Sequence, residues 1–226
     1  MKKLTDDQRA EILEAGIDAF AQRGLHGASM QEIARAAGIS VGVLYKYYAD
    51  KEDFFNACLG HSLQSLEELL QTVTAREDKL LRYAAGIIRG LQAFSRAHPN
   101  HIRLYHQLTA SSGPAARRLA EEVEGLTARL YTAYIARAQA AGDLRRDMDP
   151  RFFAFFFDNL LMMLQFSHCC DYYRARFALY CGADAGDDAL VETELLKFLE
   201  SAFTLERAAI SHREEGEKPH DVCDCL

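Results

Sequence analysis

The stretch SMQEIARAAGISVGVLYKYY, residues 29–48, restricts the possible fold more than any other part of the chain. Ser29 has the chemistry of a helix N-cap, and Glu32 follows at capping-box spacing. Ile33, Ala34 and Ala37 form the inner face of the short helix that follows, and Gly38 stands where a left-handed residue ends it. Ser40 then caps another short helix over about residues 40–47. Two short helices parted by a Gly-containing turn make a helix-turn-helix pattern. Small Ala34, Ala37 and Gly42 let the axes approach, while Ile33, Ile39 and Leu44 fill the space between them, above Phe20 of the preceding helix.

The surrounding sequence is helical in period. Residues 6–23 place Ile12, Leu13, Gly16, Ile17 and Phe20 on one face, Gly24 stops that helix, and Gly27 marks the connection onward. A fourth helix starts near Lys51 and passes Leu70; others are expected over 77–97, 99–111 and 114–141, ended by His98-Pro99, SSGP and Gly142 respectively. Pro150 opens a helix running to about 181, the linker CGADAGDD follows, and a last helix covers about 188–210 with Val191, Leu195, Phe198, Ala202 and Leu205 on one apolar stripe. The tail SHREEGEKPHDVCDCL lacks periodicity and is expected to be disordered. Strand-like alternation is hard to find and proline is scarce, so the expected fold is all-α, with about nine helices. The expected units are a helix-turn-helix domain over 1–50, a larger helical domain over 51–210 and the tail over 211–226.

Net charge is −7, so an anionic partner must be met by a local patch rather than a basic whole-protein field. The start is basic for only two residues and then acidic and amphipathic, unlike a signal peptide. The six cysteines are therefore expected to be reduced, in a cytoplasmic setting. The most apolar run, FFAFFFDNLLMMLQF over 152–166, is short for a bilayer and contains Asp158, Asn159 and Gln165; it reads as a helix buried between two layers.

The segment ILEAGIDAFAQRGLHGASMQEIARAAGISVGVLYKYYADKEDFF resembles the N-terminal DNA-binding domain of TetR-family transcriptional repressors. The resemblance rests on the helix end from Phe20 to Gly24, the Ile33-Ala34 pair, and AGIS-x-G-x-LY-x-YY-x-x-KE, and covers about residues 8–55. Ser29 stands where the family often has Thr, and Tyr48 where it often has Phe. Further along, the chain matches the family only in layout: a helical body that binds a ligand and dimerises.

The resemblance makes residues 40–47 the recognition helix, lying in the major groove of DNA. Backbone N–H groups near Ser40 then favour phosphate, Tyr45 and Tyr47 offer hydroxyls and ring faces, and Tyr48 packs inward. The alternative is that all three tyrosines pack the small domain. Lys46 is the only cation in that helix and suits guanine O6/N7 or a phosphate, Val41 and Val43 suit thymine methyls, and Gly42 permits close approach. Ser29 and Gln31 at the start of the preceding helix, and Lys51 after it, complete the expected contacts. Residues 1–51 hold seven Lys/Arg and seven Asp/Glu, so the cations must face DNA while the acids face away, and the salt dependence should be shallow. One weak half-site needs a second; the helices over 150–181 and 188–210 are the candidates for a homodimer of four-helix type.

By the same resemblance the helical body takes a small effector that releases DNA. The candidate lining is Phe94, Leu104, Tyr105, Leu108, Tyr131, Tyr134, Phe156, Asn159, Met163 and Phe166, with Met162 and Met163 as adaptable gap-fillers and Asn159 orienting a polar head. That lining suggests a hydrophobic ligand such as a fatty acyl compound or an aromatic; ordinary core packing is the competing reading of each position. No cofactor, metal or catalytic group is expected: the alternative of an enzyme with a helical fold has no nucleophile–base pair, phosphate loop or specific metal pattern behind it. Weaker constellations are SHCC at 167–170, which would suit a thiol- or metal-responsive regulator; Cys223 and Cys225 with His212 or His220; His98 with His101, read as exposed; and Arg174 with Arg176.

Overall fold

The computed structural model describes residues 4–74, 79–109 and 114–204. Among these there are ten α-helices and no strand: α1 (Asp6–Gly27), α2 (Met30–Ala36), α3 (Val41–Tyr47), α4 (Lys51–Thr74), α5 (Leu80–Ala97), α6 (Pro99–Thr109), α7 (Pro114–Ala141), α8 (Pro150–Cys169), α9 (Asp171–Cys181) and α10 (Asp188–Thr204), with a 3-10 turn over Gly182–Gly186. The acidic-cysteine tail, His212, His220 and the expected stripe residue Leu205 lie outside the described residues.

The N-terminal head is built from α1 to α3 on the first turns of α4. α1 opens with a capping box that sequence reading passed over: Thr5 Oγ1 accepts the Gln8 N–H at 3.2 Å, and Gln8 Oε1 accepts the Thr5 N–H at 3.1 Å. Near its end Gly24 takes φ 68° and kinks the helix, which resumes to Gly27. Gly38 takes φ 67° and turns the chain between α2 and α3. Ser29 and Ser40 hold extended N-cap backbone geometry, but neither hydroxyl makes a cap hydrogen bond. The capping box expected at Ser29 is absent because Glu32 is drawn to the Arg23 guanidinium of α1. Ile17, Phe20, Ile33, Leu44, Phe54 and Cys58 form the head core, with Phe20 edge-on to Phe55 at 5.0 Å. α1 and α4 approach so closely that a Cβ on Gly16 would lie 2.5 Å from Cys58 Sγ and 2.6 Å from the Phe54 ring.

The body centres on α5, whose Tyr83, Ile87, Ile88 and Leu91 are buried. Tyr83 stacks on Tyr134 of α7 at 3.7 Å, and α8 packs against α5, α6, α7 and α9. α10 lies along α5, fixed by the Arg96 guanidinium gripping both Asp188 oxygens at 2.6 Å and by Arg89 donating to Glu192 at 2.7 Å. Its inward residues include Val191, Leu195, Leu199 and Phe203, whereas Phe198, expected on the apolar stripe, is 59% exposed.

The single helix expected over 150–181 is two. Cys170 is extended (φ −104°, ψ 128°), and the carbonyls around the break are capped from elsewhere: Arg103 Nε donates to the Cys169 oxygen at 2.9 Å and Arg174 Nη2 to the His168 oxygen at 3.1 Å. This break raises the helix count from the expected nine to ten. α8 itself runs 20 residues and is, by length and composition, apolar enough to cross a membrane, which the shorter run was not expected to be. It packs on four neighbouring helices and carries Arg151, Asp158 and Gln165, features of a core helix.

Candidate nucleic-acid interface and ligand cavity

Leu44 is the inward anchor of α3, and the residues around it decide what the helix shows to solvent. Ser40, Gly42, Tyr45 and Lys46 are exposed; Val41, Val43 and Tyr47 are half-buried. The Lys46 ammonium sits 5.5 Å over the Tyr47 ring. Tyr47 Oη accepts the Leu4 N–H at 3.1 Å, which ties the start of α1 to α3 and leaves the phenol proton free to donate outward. Tyr48 turns inward on Phe54, ring centroids 4.8 Å apart, and burial pushes its phenol pKa up.

Ser29 is half-buried and Gln31 exposed at the start of α2. Sequence reasoning missed Arg35, which is exposed one turn beyond Gln31 on the same face; the signal was the four-residue spacing. Lys51, expected to meet phosphate, instead donates to the carbonyls of His26 and Ala28 at 3.3 Å each, capping the end of α1.

A polar junction joins the head to the body. The Glu14 carboxylate of α1 lies 3.1 Å from His61 Nε2 of α4 and 2.9 Å from His101 Nε2 of α6. Burial pushes the Glu14 pKa up, but the hydrogen bonds and charge of His101 and His61 outweigh it and hold it below the ordinary value. His101, expected to be exposed, is 4% exposed. Beside it Asn100 donates to Asp18 at 2.7 Å and Gln107 to the Ala21 carbonyl at 2.8 Å.

Between α6, α7 and α8 opens a cleft of about 1020 Å³. Of the expected lining, Tyr105, Leu108 and Asn159 reach it. The others do not. Leu104 is buried in the head core; Phe94 packs on His98 and His101; Tyr131 and Tyr134 sit in the body core. Phe166 and Met163 belong to the cluster around Ile102, and Phe156 is 55% exposed. The cleft face of α8 carries Arg151, Ala154, Phe155, Asp158, Asn159 and Met162, so Phe156 and Met163 miss it by one residue, about 100° of helix. Asn159 Nδ2 donates to the Phe155 carbonyl at 2.7 Å, leaving its oxygen as the free end.

Sequence reasoning also missed the acids of this cleft. Tyr105 donates its hydroxyl proton to Glu124, and Met162 Sδ lies 3.5 Å from the same hydroxyl. Burial, with the Glu124 charge adding to it, pushes the Asp158 carboxyl up to about 7. An aspartate inside an apolar run was the available signal. The cysteines of SHCC point elsewhere: Cys169 donates to the Ser95 carbonyl at 3.3 Å, and burial pushes its thiol up and that of Cys170 up to about 11. Protonated thiols in this setting do not suit thiolate sensing. Arg174 and Arg176 lie on α9, the latter stacked 5.5 Å over Tyr180.

Comparison with known proteins agrees with this architecture. Residues 12–58 match the family described as bacterial regulatory proteins, tetR family. The transcriptional activator FasR of Mycolicibacterium smegmatis is 34% identical over 79 residues, 33% of this chain and 36% of that protein. The matched part thus spans about a third of that relative's length. Among solved structures, Bacillus subtilis FadR in complex with stearoyl-CoA superposes with a TM-score of 0.70 at 15% identity, covering 87% of this chain and all (100%) of that one. AibR in complex with isovaleryl coenzyme A and operator DNA gives 0.63 at 20% identity, covering 85% and 97%. The helix-turn-helix head is therefore a TetR-family DNA-binding domain, carried by a chain with the fold of TetR-family transcriptional regulators.

Proposed function

We propose that the protein is a ligand-responsive transcriptional repressor that binds a palindromic operator as a homodimer and is released by a small hydrophobic effector. The observation that carries this reading is the position of α6. Its Leu104 lies in the head core, while its neighbours Tyr105 and Leu108 line the cleft, so the ligand site and the DNA-binding head share one short helix. Two fold neighbours are described with ligands that carry an acyl chain, FadR with stearoyl-CoA and AibR with isovaleryl coenzyme A, which supports an effector with a hydrocarbon part. α3 supplies base and phosphate contacts through Tyr45, Lys46 and the half-buried valines, and Gln31 with Arg35 flank them from α2. Two copies pair through α8 and α10, where Phe152, Phe156 and Phe198 are more than half exposed.

The test is operator binding. DNA selected from random sequence by the full-length protein should contain an inverted repeat with half-sites about one helical turn apart. Lys46→Ala should weaken binding and lower the salt slope by about 0.9, the share of one phosphate, or weaken it by about 1–3 kcal/mol on one base if the contact is to guanine. Tyr45→Ala should weaken binding with the dimer intact. Operator affinity unchanged in both variants would refute the α3 assignment.

A further inference from the structure

Resting on the reading of the α6–α7–α8 cleft as the effector site, we propose that its effector is an amphipathic organic cation, an amine on an apolar body, with the ammonium held between Glu124 and Asp158. Beside these two acids the cleft is lined by alanines, Phe155, Met162 and Leu108, which suit a hydrocarbon body, with Thr109, Thr127, Thr132 and Asn159 as uncharged polar groups. Glu124 accepts the Tyr105 hydroxyl, so one of its acceptor sites is filled and others remain. Asp158 has no hydrogen-bond or ion-pair partner among the described side chains, although it is half-buried in the wall of the cleft.

The neighbouring charges point the same way. Facing Asp158 are Glu124 and Tyr131 from α7 and Tyr105 from α6, two phenols and a carboxylate. The cleft's guanidiniums, Arg129 and Arg151, are exposed, and Arg151 already pairs with Asp149 at 2.6 Å. Arg151 is seven residues from Asp158 along α8, about 10 Å of helix rise, and among the described residues neither it nor Arg129 forms an ion pair with either acid. A ligand carboxylate placed there would add a third acid to a half-buried pair. An ammonium instead provides three donors and the missing opposite charge.

The experiment compares three ligands of equal chain length, decylamine, decanol and decanoate, by titration calorimetry on the full-length dimer near pH 7.5. The cation should bind at least tenfold more tightly than the alcohol, and decanoate least. Asp158→Asn should abolish the preference for amine over alcohol while leaving alcohol affinity within about twofold. Glu124→Gln gives a second, independent reading and should reduce the preference in the same direction. Amine and alcohol binding alike, tighter decanoate, or an amine preference undiminished in both variants would each overturn the assignment. If decanol or decanoate binds best and still releases operator DNA, the cationic class fails while the effector cleft stands. If none of the three binds, both fail together.

Discussion

Replacing Glu14 by leucine removes an acceptor shared by two histidines, and the penalty depends on which of them can turn to water. The His61 side chain is 25% exposed and that of His101 is 4% exposed. Water therefore replaces the lost bond at His61 far better than at His101. His101 Nδ1 is already buried without a hydrogen-bond partner, so Glu14→Leu strands the whole ring. A hydrogen bond to a charged group contributes about 1.5–3 kcal/mol, and a buried polar group left unpaired costs about 1–3 kcal/mol. These describe one bond from two sides, so they are not summed; the Glu14 carboxylate is itself 44% exposed and screened by water, so with a small share from His61 the expected loss is about 2 kcal/mol. In a chain of this size that lowers Tm by roughly 4–8 °C.

The sign of the pH dependence follows from the lowered Glu14 pKa. Its native pKa lies below the unfolded value of 4.5, so its contribution is fully present above that pH and is lost as pH falls through the native value. Melting followed by circular dichroism should show the full difference between wild type and Glu14→Leu near neutral pH, shrinking below 4.5. Glu14→Gln keeps one acceptor and should fall between them. A neutral-pH shift under about 2 °C, less than 1 kcal/mol at this size, would refute the account. So would a difference that stays undiminished in acid.

Two further outcomes rest on other contacts. Gly16→Ala gains helix propensity of about 1 kcal/mol but forces a methyl against Phe54 and Cys58, both fully buried, at an overpacking cost of about 1–3 kcal/mol. The clash should win by about 1 kcal/mol and lower the urea midpoint, and a raised midpoint would show that α4 yields there. Phe156→Arg with Phe198→Arg places charge on the exposed faces of α8 and α10 and should give a monomer by light scattering; an intact dimer would move the interface elsewhere.

The head was the most legible part of the sequence because its signals are local. Gly24 and Gly38 mark backbone that needs positive φ, and Ile33, Ala34 and Leu44 declare their buried faces within two turns of Gly38. What failed there failed through partners distant in sequence. Glu32 has the spacing of a capping box, yet Arg23 stands across from it on α1 and outcompetes a backbone N–H. The break at Cys170 has no glycine or proline to announce it; Arg103, 66 residues away, caps the carbonyl that makes it tolerable. The cleft was half-legible for a different reason. An apolar run such as FFAFFF offers several helical phases, and only packing against α5 and α7 decides that Phe155 faces the cleft while Phe153 and Phe157 are buried. The lone Asp158 carried better phase information than its aromatic neighbours.

A ligand can act on the head only through an element that cannot move without it, and α6 meets that condition on two faces. Toward α1 its polar contacts fall on Glu14, Asp18 and Ala21, a stripe at helical spacing, while Leu104 fills the head core beneath them. A slide of α6 along α1 would break all three hydrogen bonds and open a void at Leu104, so the two helices move as one body. Toward α7, Tyr105 is held by its bond to Glu124, the residue that also faces the cleft. In the proposed mechanism a guest that pulls on Glu124 also pulls on the Tyr105 hydroxyl bonded to it, so it alters the seating of α6 and, through α1 and α2, that of α3. A hundredfold loss of operator affinity requires about 2.7 kcal/mol of differential binding between the two seatings. A ligand contact to Glu124 made in only one of the two seatings has that scale, since a hydrogen bond to a charged group contributes about 1.5–3 kcal/mol, so the Tyr105–Glu124 linkage is enough for the proposed switch.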